Sequence, residues 1–288
     1  MCAKNPSTQS KKLIKHFIIN SVRANFRTHK AKYGKMVLAC DSGSWRYDVF
    51  SQYKYTRKLK RESDTSGVNW SFVSEVKEEL IDELAQFFPF SVVKVPKGEG
   101  DDVIAVLTKL ISEQQPDSEN VNVFGDCDPE DILIISSDID NYQLHQHKNV
   151  RQFSPMMKKL VKPDGPARNA LIEKIVKGDT GDGVMNIRMP ANTFVEGVRQ
   201  KPIAQTYLDK FFEAKNPIDI CETEEQRENY KRNEQLVSYQ MIPKDIQDSI
   251  ISCYNYQISK KHSKMQLMNY FVKNDMSNLL SQIHDFYL

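Results

Sequence analysis

The chain has 288 residues, 27% charged and 40% hydrophobic, with 11 Gly and 12 Pro. That balance fits one large or two ordinary globular domains and excludes collagen-like, low-complexity and disordered classes. No run approaches the roughly 18 to 20 continuous apolar residues of a membrane span, and the polar start lacks the apolar core of a signal peptide, so a cytoplasmic protein with no membrane partner is expected.

The formal net charge of +2 hides a polarity: residues 1–61 carry 15 Lys and Arg against 2 Asp, and the remainder 25 against 36 acids. A basic stretch draws phosphate by counterion release, whereas clustered carboxylates repel it unless cations hold them. Together they point to a metal-dependent nucleic-acid protein; charge alone is equally well met by solvated helix faces. Cysteines at 2, 40, 127, 221 and 253 form no CxxC pair, which argues against zinc knuckles and disulfides and for a reducing compartment.

In chain order, Leu13, Ile14, Phe17, Ile18, Val22 and Phe26 recur at helical spacing and predict an amphipathic helix over 11–32. The apolar run 36–40 ends at Asp41, and the run 132–137 is followed by Asp138; both read as strands buried on both faces, as in parallel sheets. A third strand is expected at 90–95, with helices at 70–88 and 100–113, and a hairpin pairs 149–153 with 158–162. The alternation predicts an α/β domain whose mostly parallel central sheet is flanked by helices. Beyond Pro163, Gly165 and Pro166 the pattern is helical, so domains over 1–165 and 166–288 are expected.

Parallel sheets bind ligands at the carboxyl ends of their strands, where Asp41 and Asp138 stand. Asp140 follows two residues later; Glu99, Asp101 and Asp102 cluster at a helix start; Asp179 and Asp182 share a turn with Gly178, Gly181 and Gly183. The helix dipole accounts for one or two acids at a helix start, hardly for all. Oxygen-only donors without Cys/His spacing suit Mg²⁺ or Mn²⁺, and two such ions roughly 4 Å apart can activate water on a phosphodiester. An EF-hand from Asp138 fails, with Tyr142, Gln143 and Asn149 at its fifth, sixth and twelfth positions. Asp179-Thr180-Gly181 has no second copy, as an aspartic protease would need outside a homodimer. A phosphatase built on Asp138-Ile139-Asp140 leaves the other acids without a role, and His145 and His147 are assigned none.

Between Arg46 and Arg61 six basic residues, Arg46, Lys54, Arg57, Lys58, Lys60 and Arg61, face the single acid Asp48, with Trp45, Tyr47, Tyr53 and Tyr55 interleaved. Cations on phosphates and rings on unpaired bases are the means by which single strands are gripped. A solvated basic helix is the plainer reading.

The motifs Val37-Leu38-Ala39-Cys40-Asp41, Trp45-Arg46-Tyr47-Asp48, Tyr53-Lys54, Glu99-Gly100-Asp101-Asp102, Ile134-Ile135-Ser136-Ser137-Asp138-Ile139-Asp140 and Lys177-Gly178-Asp179-Thr180-Gly181-Asp182 occur in an order that resembles the 5′ nucleases of the flap endonuclease superfamily. The resemblance implies a PIN-like core, a basic arch at about 46–69 and a C-terminal helical region with a helix-hairpin type element. It implies two Mg²⁺ ions, with Mn²⁺ as substitute. Asp41, Glu99, Asp101, Asp102 and Asp138 would surround the first, and Asp140, Asp179 and Asp182 the second. Arg46, Lys54, Asp101 and Asp138 would be catalytic; Tyr53, Arg57, Lys58, Lys60 and Arg61 would complete the arch, and Lys177, Gly178, Gly181 and Gly183 would meet duplex backbone. The substrates implied are DNA and RNA–DNA hybrids with 5′ ends or flaps, cut by a monomer during phage-type replication alongside a sliding clamp and a single-strand binding protein. Two departures stand out: no strand ending in an acid precedes the first helix, and the glycine-rich second half of the hairpin element is absent after Ile187. A catalytically impaired or fragmentary DNA-binding protein is therefore the alternative expectation.

Overall fold

The computed structural model of the chain describes residues 11–113 and 130–288; Cys2, Cys127 and the polar start fall outside them. The elements run α1 (Lys11–Tyr33), β1 (Val37–Ala39), α2 (Arg46–Val49), α3 (Tyr55–Glu62), α4 (Trp70–Phe87), β2 (Ser91–Val93), α5 (Gly100–Glu113), β3 (Ile132–Ile135), β4 (Val150–Ser154), β5 (Lys159–Leu160), α6 (Ala167–Lys177), α7 (Gln205–Glu213), α8 (Glu224–Val237), α9 (Lys244–Ser259), α10 (Lys264–Lys273) and α11 (Ser277–Leu280). A 3₁₀ helix, Ile139–Gln146, follows β3, and another, Tyr239–Met241, follows α8. The chain divides into two units: Met1–Asp41, Ser63–Val95 and Ser249–Leu288 form one, and Ser42–Glu62 with Pro96–Asp248 the other. Each unit draws on both sides of the expected boundary near 165, because the chain leaves the first unit after Asp41 and returns to it twice.

In the first unit β1 and β2 pair in parallel, Val37 opposite Ser91 and Ala39 opposite Val93. α4 starts at Asn69, whose side chain accepts from the Phe72 amide, and buries Val76, Leu80, Ile81 and Leu84 at helical spacing. These meet Ile19 and Phe26 of α1 and Phe271 of α10 around the fully buried Phe88, whose ring lies 5.4 to 5.7 Å from those of Tyr270, Phe271 and Phe286. Such edge-on aromatic packing adds about 0.5 to 1.5 kcal/mol per pair beyond area burial.

The second unit holds β3 parallel to β4, Ile132 opposite Val150, and β5 antiparallel to β4, which realises the expected hairpin. Its core gathers Ile175 and Val176 of α6, Leu208 and Phe211 of α7, and Val184, Met185 and Ile187 from the segment after α6. Two asparagines one turn apart on α8 fasten that segment. Asn233 Nδ2 donates to the carbonyls of Ile175 (2.9 Å) and Met185 (2.7 Å), and Asn229 Nδ2 to those of Ile187 (3.0 Å) and Met189 (3.1 Å).

The three long helices expected before residue 114 form within a residue or so of their predicted ends. In place of the expected single sheet, the described residues form two, of two and three strands. Accordingly β1 is only half-buried throughout and β3 fully buries Ile134 alone. An edge strand keeps one unpaired side, so burial on both faces does not follow there.

Candidate active site

The loop from Ser42 to Trp45 is stitched to the loop before α5: Ser42 N donates to Gly98 O, Lys97 N to Ser42 O and Trp45 N to Lys97 O, each at 2.8 Å. This brings Arg46 against the start of α5. Arg46 is 3% exposed and its guanidinium forks onto two acids, with Nη1 2.7 Å from Glu99 Oε2 and Nη2 2.8 Å from Asp102 Oδ1, while Nε donates to Leu236 O at 2.6 Å. Asp102, fully buried, also accepts from Trp45 Nε1 and from the Glu99 amide, both at 3.1 Å. Burial disfavours the Arg46 cation, but Asp102 and Glu99 outweigh that and hold its pKa above the usual guanidinium value. Removing one partner of so enclosed a pair costs about 3 to 5 kcal/mol, because an uncompensated charge stays behind.

Glu99 is shared further. Lys54 pairs with it, and the Tyr53 hydroxyl lies 3.1 Å from its Oε2 and 3.0 Å from Asp182 Oδ2. Burial first, then the charges of Asp182 and Glu99, push the Tyr53 phenol well up and keep it a donor. Lys54 itself has φ +58°, a conformation that lysine rarely adopts; its amide donates to Asp182 O at 2.7 Å.

A second group forms around Lys174 of α6, whose ammonium pairs with Asp140 and lies 2.8 Å from Asp179 Oδ2. Burial works against the charged form of Asp179. The Lys174 ammonium and the amides of Asp182 and Gly181 override it and leave the carboxyl below its ordinary range. Asp182 pairs with Arg57, and Thr56 Oγ1 and Arg57 Nε lie within hydrogen-bond distance of the carbonyls of residues 180–181. The turn carrying these acids is closed on itself: Gly178 N donates to Lys174 O, Asp179 N and Val184 N exchange bonds with the facing carbonyls, and Gly183 N donates to Thr180 O. The amides of Gly178 and Gly183, expected to grip duplex backbone, are thus engaged inside the protein.

The remaining expected residues are placed as follows. Asp138 is exposed at the end of β3 and caps the 3₁₀ helix by accepting from Asp140 N at 2.9 Å; Asp101 is half-buried on α5. Asp41, exposed, follows β1 in the first unit. Lys58, Lys60 and Arg61 are exposed on α3, and Lys177 pairs with Glu173 at 2.6 Å. Arg46 and the ring of Tyr53 differ from their expected place in an open arch, and the ring of Trp45 from one free to stack on bases: Trp45 and Tyr53 are each 4% exposed, and all three are core, held by Asp102 and Glu99. Among the described residues no three His, Cys, Asp or Glu side chains stand together as metal ligands would; the acids gather in twos around Arg46 and Lys174, and Glu99 also takes Lys54. The sequence reading missed Lys174, although its place five residues before Asp179 puts it on the last turns of a helix that ends at the acidic turn. His145 Nε2 lies 3.1 Å from Gln152 Oε1, and no described helix is long and apolar enough to cross a membrane.

Residues 3–174 match the family model of the 5′–3′ exonuclease N-terminal resolvase-like domain, and residues 165–286 that of the T4 RNase H C-terminal region. The chain is 34% identical over 282 residues to the ribonuclease H of Enterobacteria phage T4, spanning 95% of this chain and 87% of that one. Two solved structures share the fold. A bacteriophage T5 flap endonuclease in a complex with DNA and metal ions has a TM-score of 0.57 at 16% identity, covering 84% of this chain and 91% of its own. A T5 5′-exonuclease with bound zinc has 0.55 at 17%, covering 85% and 90%. With both family models in register along the sequence and the acids of the second unit held by its basic residues, the chain belongs to the 5′–3′ exonuclease family that includes phage T4 ribonuclease H.

Proposed function

We propose that the protein is an Mg²⁺-dependent, structure-specific 5′ nuclease that hydrolyses phosphodiesters of RNA primers and DNA flaps. The observation that carries this reading is the convergence of Glu99, Asp102 and Asp182, from two distant segments, on Arg46, Tyr53 and Lys54 of a third. The donor chemistry fits hard divalent ions: every candidate ligand is a carboxylate oxygen, and Asp140 and Asp179 stand close enough to share one ammonium. Glu99, Asp101 and Asp138 would draw together around one ion, and Asp140, Asp179 and Asp182 around a second, once Lys54, Arg57 and Lys174 release the acids they now hold. Bound there, such ions supply Lewis acidity and a water of lowered pKa.

The chain's own groups do the rest. Lys54, once turned from Glu99, presents a cation to the phosphate; Tyr53 keeps Glu99 and Asp182 in register; Arg46 anchors Asp102 and carries no substrate contact of its own. Lys58, Lys60 and Arg61 lie outside the core and are suited to phosphates of an entering strand. The likeness to a T5 enzyme bound to DNA supports a DNA substrate. A division near residue 165 rests on Pro163, Gly165 and Pro166 and the helical pattern beyond them, and a cytoplasmic site of action on the sequence pattern and cysteine usage; a monomeric state and contacts with a sliding clamp and a single-strand binding protein rest on the resemblance alone.

The test is cleavage of a labelled 5′-flap oligonucleotide across an Mg²⁺ titration. Metal-dependent release of the flap, reduced at least about a hundredfold by Asp138→Asn, is the expected result. Binding without turnover by the unaltered chain would instead identify a DNA-binding protein.

A further inference from the structure

Residues 249–274, which span most of α9 and all of α10, contain four Lys and no Asp or Glu. Lysines at a helix boundary are by themselves a solvated face, and most of those on α1 are answered within the chain: Lys11, Lys12, Lys15 and Arg23 each meet an acid of another element. The link between α9 and α10 differs. Among the described residues no ion pair holds Lys260, Lys261 or Lys264. Lys264 Nζ lies instead 3.3 Å from His284 Nδ1, and Lys30 Nζ of α1 donates to His284 O at 3.5 Å, so two ammonium groups gather on one residue through neutral atoms. The acid beside that residue, Asp285, is taken by the Arg23 guanidinium at 2.5 Å. The positive charge at the link therefore stays uncompensated.

One helical turn before Lys260 stands Tyr256, 63% exposed, its ring centre 4.7 Å from the Lys260 ammonium. Their i, i+4 spacing sets ring and cation on one face. The backbone beneath is fixed, since Gln257 is buried and Lys260 N donates to Gln257 O at 3.2 Å. An open ring flanked by unanswered cations suits an unpaired base, which stacks on the ring while its phosphates meet the cations. Duplex backbone would engage the lysines and leave the ring idle. We infer that the α9–α10 link is a second nucleic-acid site, which binds a single-stranded segment by stacking a base on Tyr256 and pairing its phosphates with Lys260, Lys261 and Lys264. The site belongs to the first unit, whereas Arg46, Lys54 and Lys174 belong to the second. It goes beyond the nuclease reading and calls for no metal ion.

The experiment measures binding of a fluorescein-labelled single-stranded oligothymidylate in EDTA by anisotropy. The full chain is used, with Lys58, Lys60 and Arg61 replaced by Ala so that α3 contributes least. In this background Tyr256→Ala is expected to weaken binding at least about fivefold, and Tyr256→Phe, which keeps the stacking ring, to leave it within about twofold. Lys260→Ala with Lys261→Ala should flatten the log–log salt slope by about 1 to 1.5. Thermal melting confirms that these exposed substitutions leave the fold intact. Full affinity in Tyr256→Ala, or an equal loss in Tyr256→Phe, overturns the inference. So does binding to phosphatidylserine vesicles that falls with the two lysines while oligothymidylate binding does not. Failure of the unaltered chain to cleave a 5′-flap oligonucleotide in Mg²⁺ would remove the nuclease reading and leave this site standing, because the binding measurement needs no turnover.

Discussion

Gly178 shows how one missing side chain shapes the acidic turn. It has φ +71°, and a Cβ there would stand 2.4 Å from Val184 O and 2.5 Å from Met185 C, both backbone atoms of a buried segment. Gly178→Ala is expected to destabilise the fold by about 2 to 4 kcal/mol, from left-handed strain plus overpacking. Gly34→Ala, at φ +65° with nothing within 4 Å, should cost only about 1 kcal/mol. Urea unfolding of both variants checks the contrast; equal losses would show that the approach to residues 184–185 is unimportant. The sequence makes Gly178 legible as a bend, because glycine after a helical stretch is a stop signal. It cannot show that the facing backbone comes so close. Arg46 is the opposite case: its place at the head of a basic segment marks it as surface, and only Glu99 and Asp102, 53 and 56 residues away along the chain, explain its burial.

Among elements, helices are the most legible, since each of α1, α4 and α5 carries its apolar stripe within a single continuous window. The strands stand where the apolar runs place them but are less deeply buried than those runs imply, because burial depends on neighbours that no local run specifies. Lys174 on α6 illustrates the same limit: its partners Asp140 and Asp179 lie on two other segments. A pH dependence follows from this group. The carboxyl of Asp179 is depressed in the folded chain, so its contribution to stability is complete above the ordinary carboxylate pKa and is lost as pH falls through the lower folded value. Urea melts of the chain in EDTA should therefore show stability declining on acidification below about pH 4, with a shallower decline in Lys174→Met. An identical profile for the two would remove Lys174 as the cause.

At the scale of the molecule, Lys11, Lys12, Lys15 and Arg23 of the basic start are paired with acids of the chain, and the nuclease reading puts an entering strand on the exposed cations of α3. Flap binding should weaken linearly on a log–log plot against salt. Replacing Lys58, Lys60 and Arg61 together by Ala should flatten the slope by about 2 to 3, near 0.7 to 0.9 for each phosphate that is no longer neutralised. Anisotropy titrations at several salt concentrations read this directly, and an unchanged slope would place the strand elsewhere. The same helix that offers these cations is anchored at its foot, where the Lys54 amide, the Thr56 hydroxyl and the Arg57 guanidinium all reach the carbonyls of residues 180–182. That foot acts as a fulcrum. Any tilt of α3 is therefore levered onto the Asp179–Asp182 turn, so the pose of the helix and the posture of those acids are mechanically one variable.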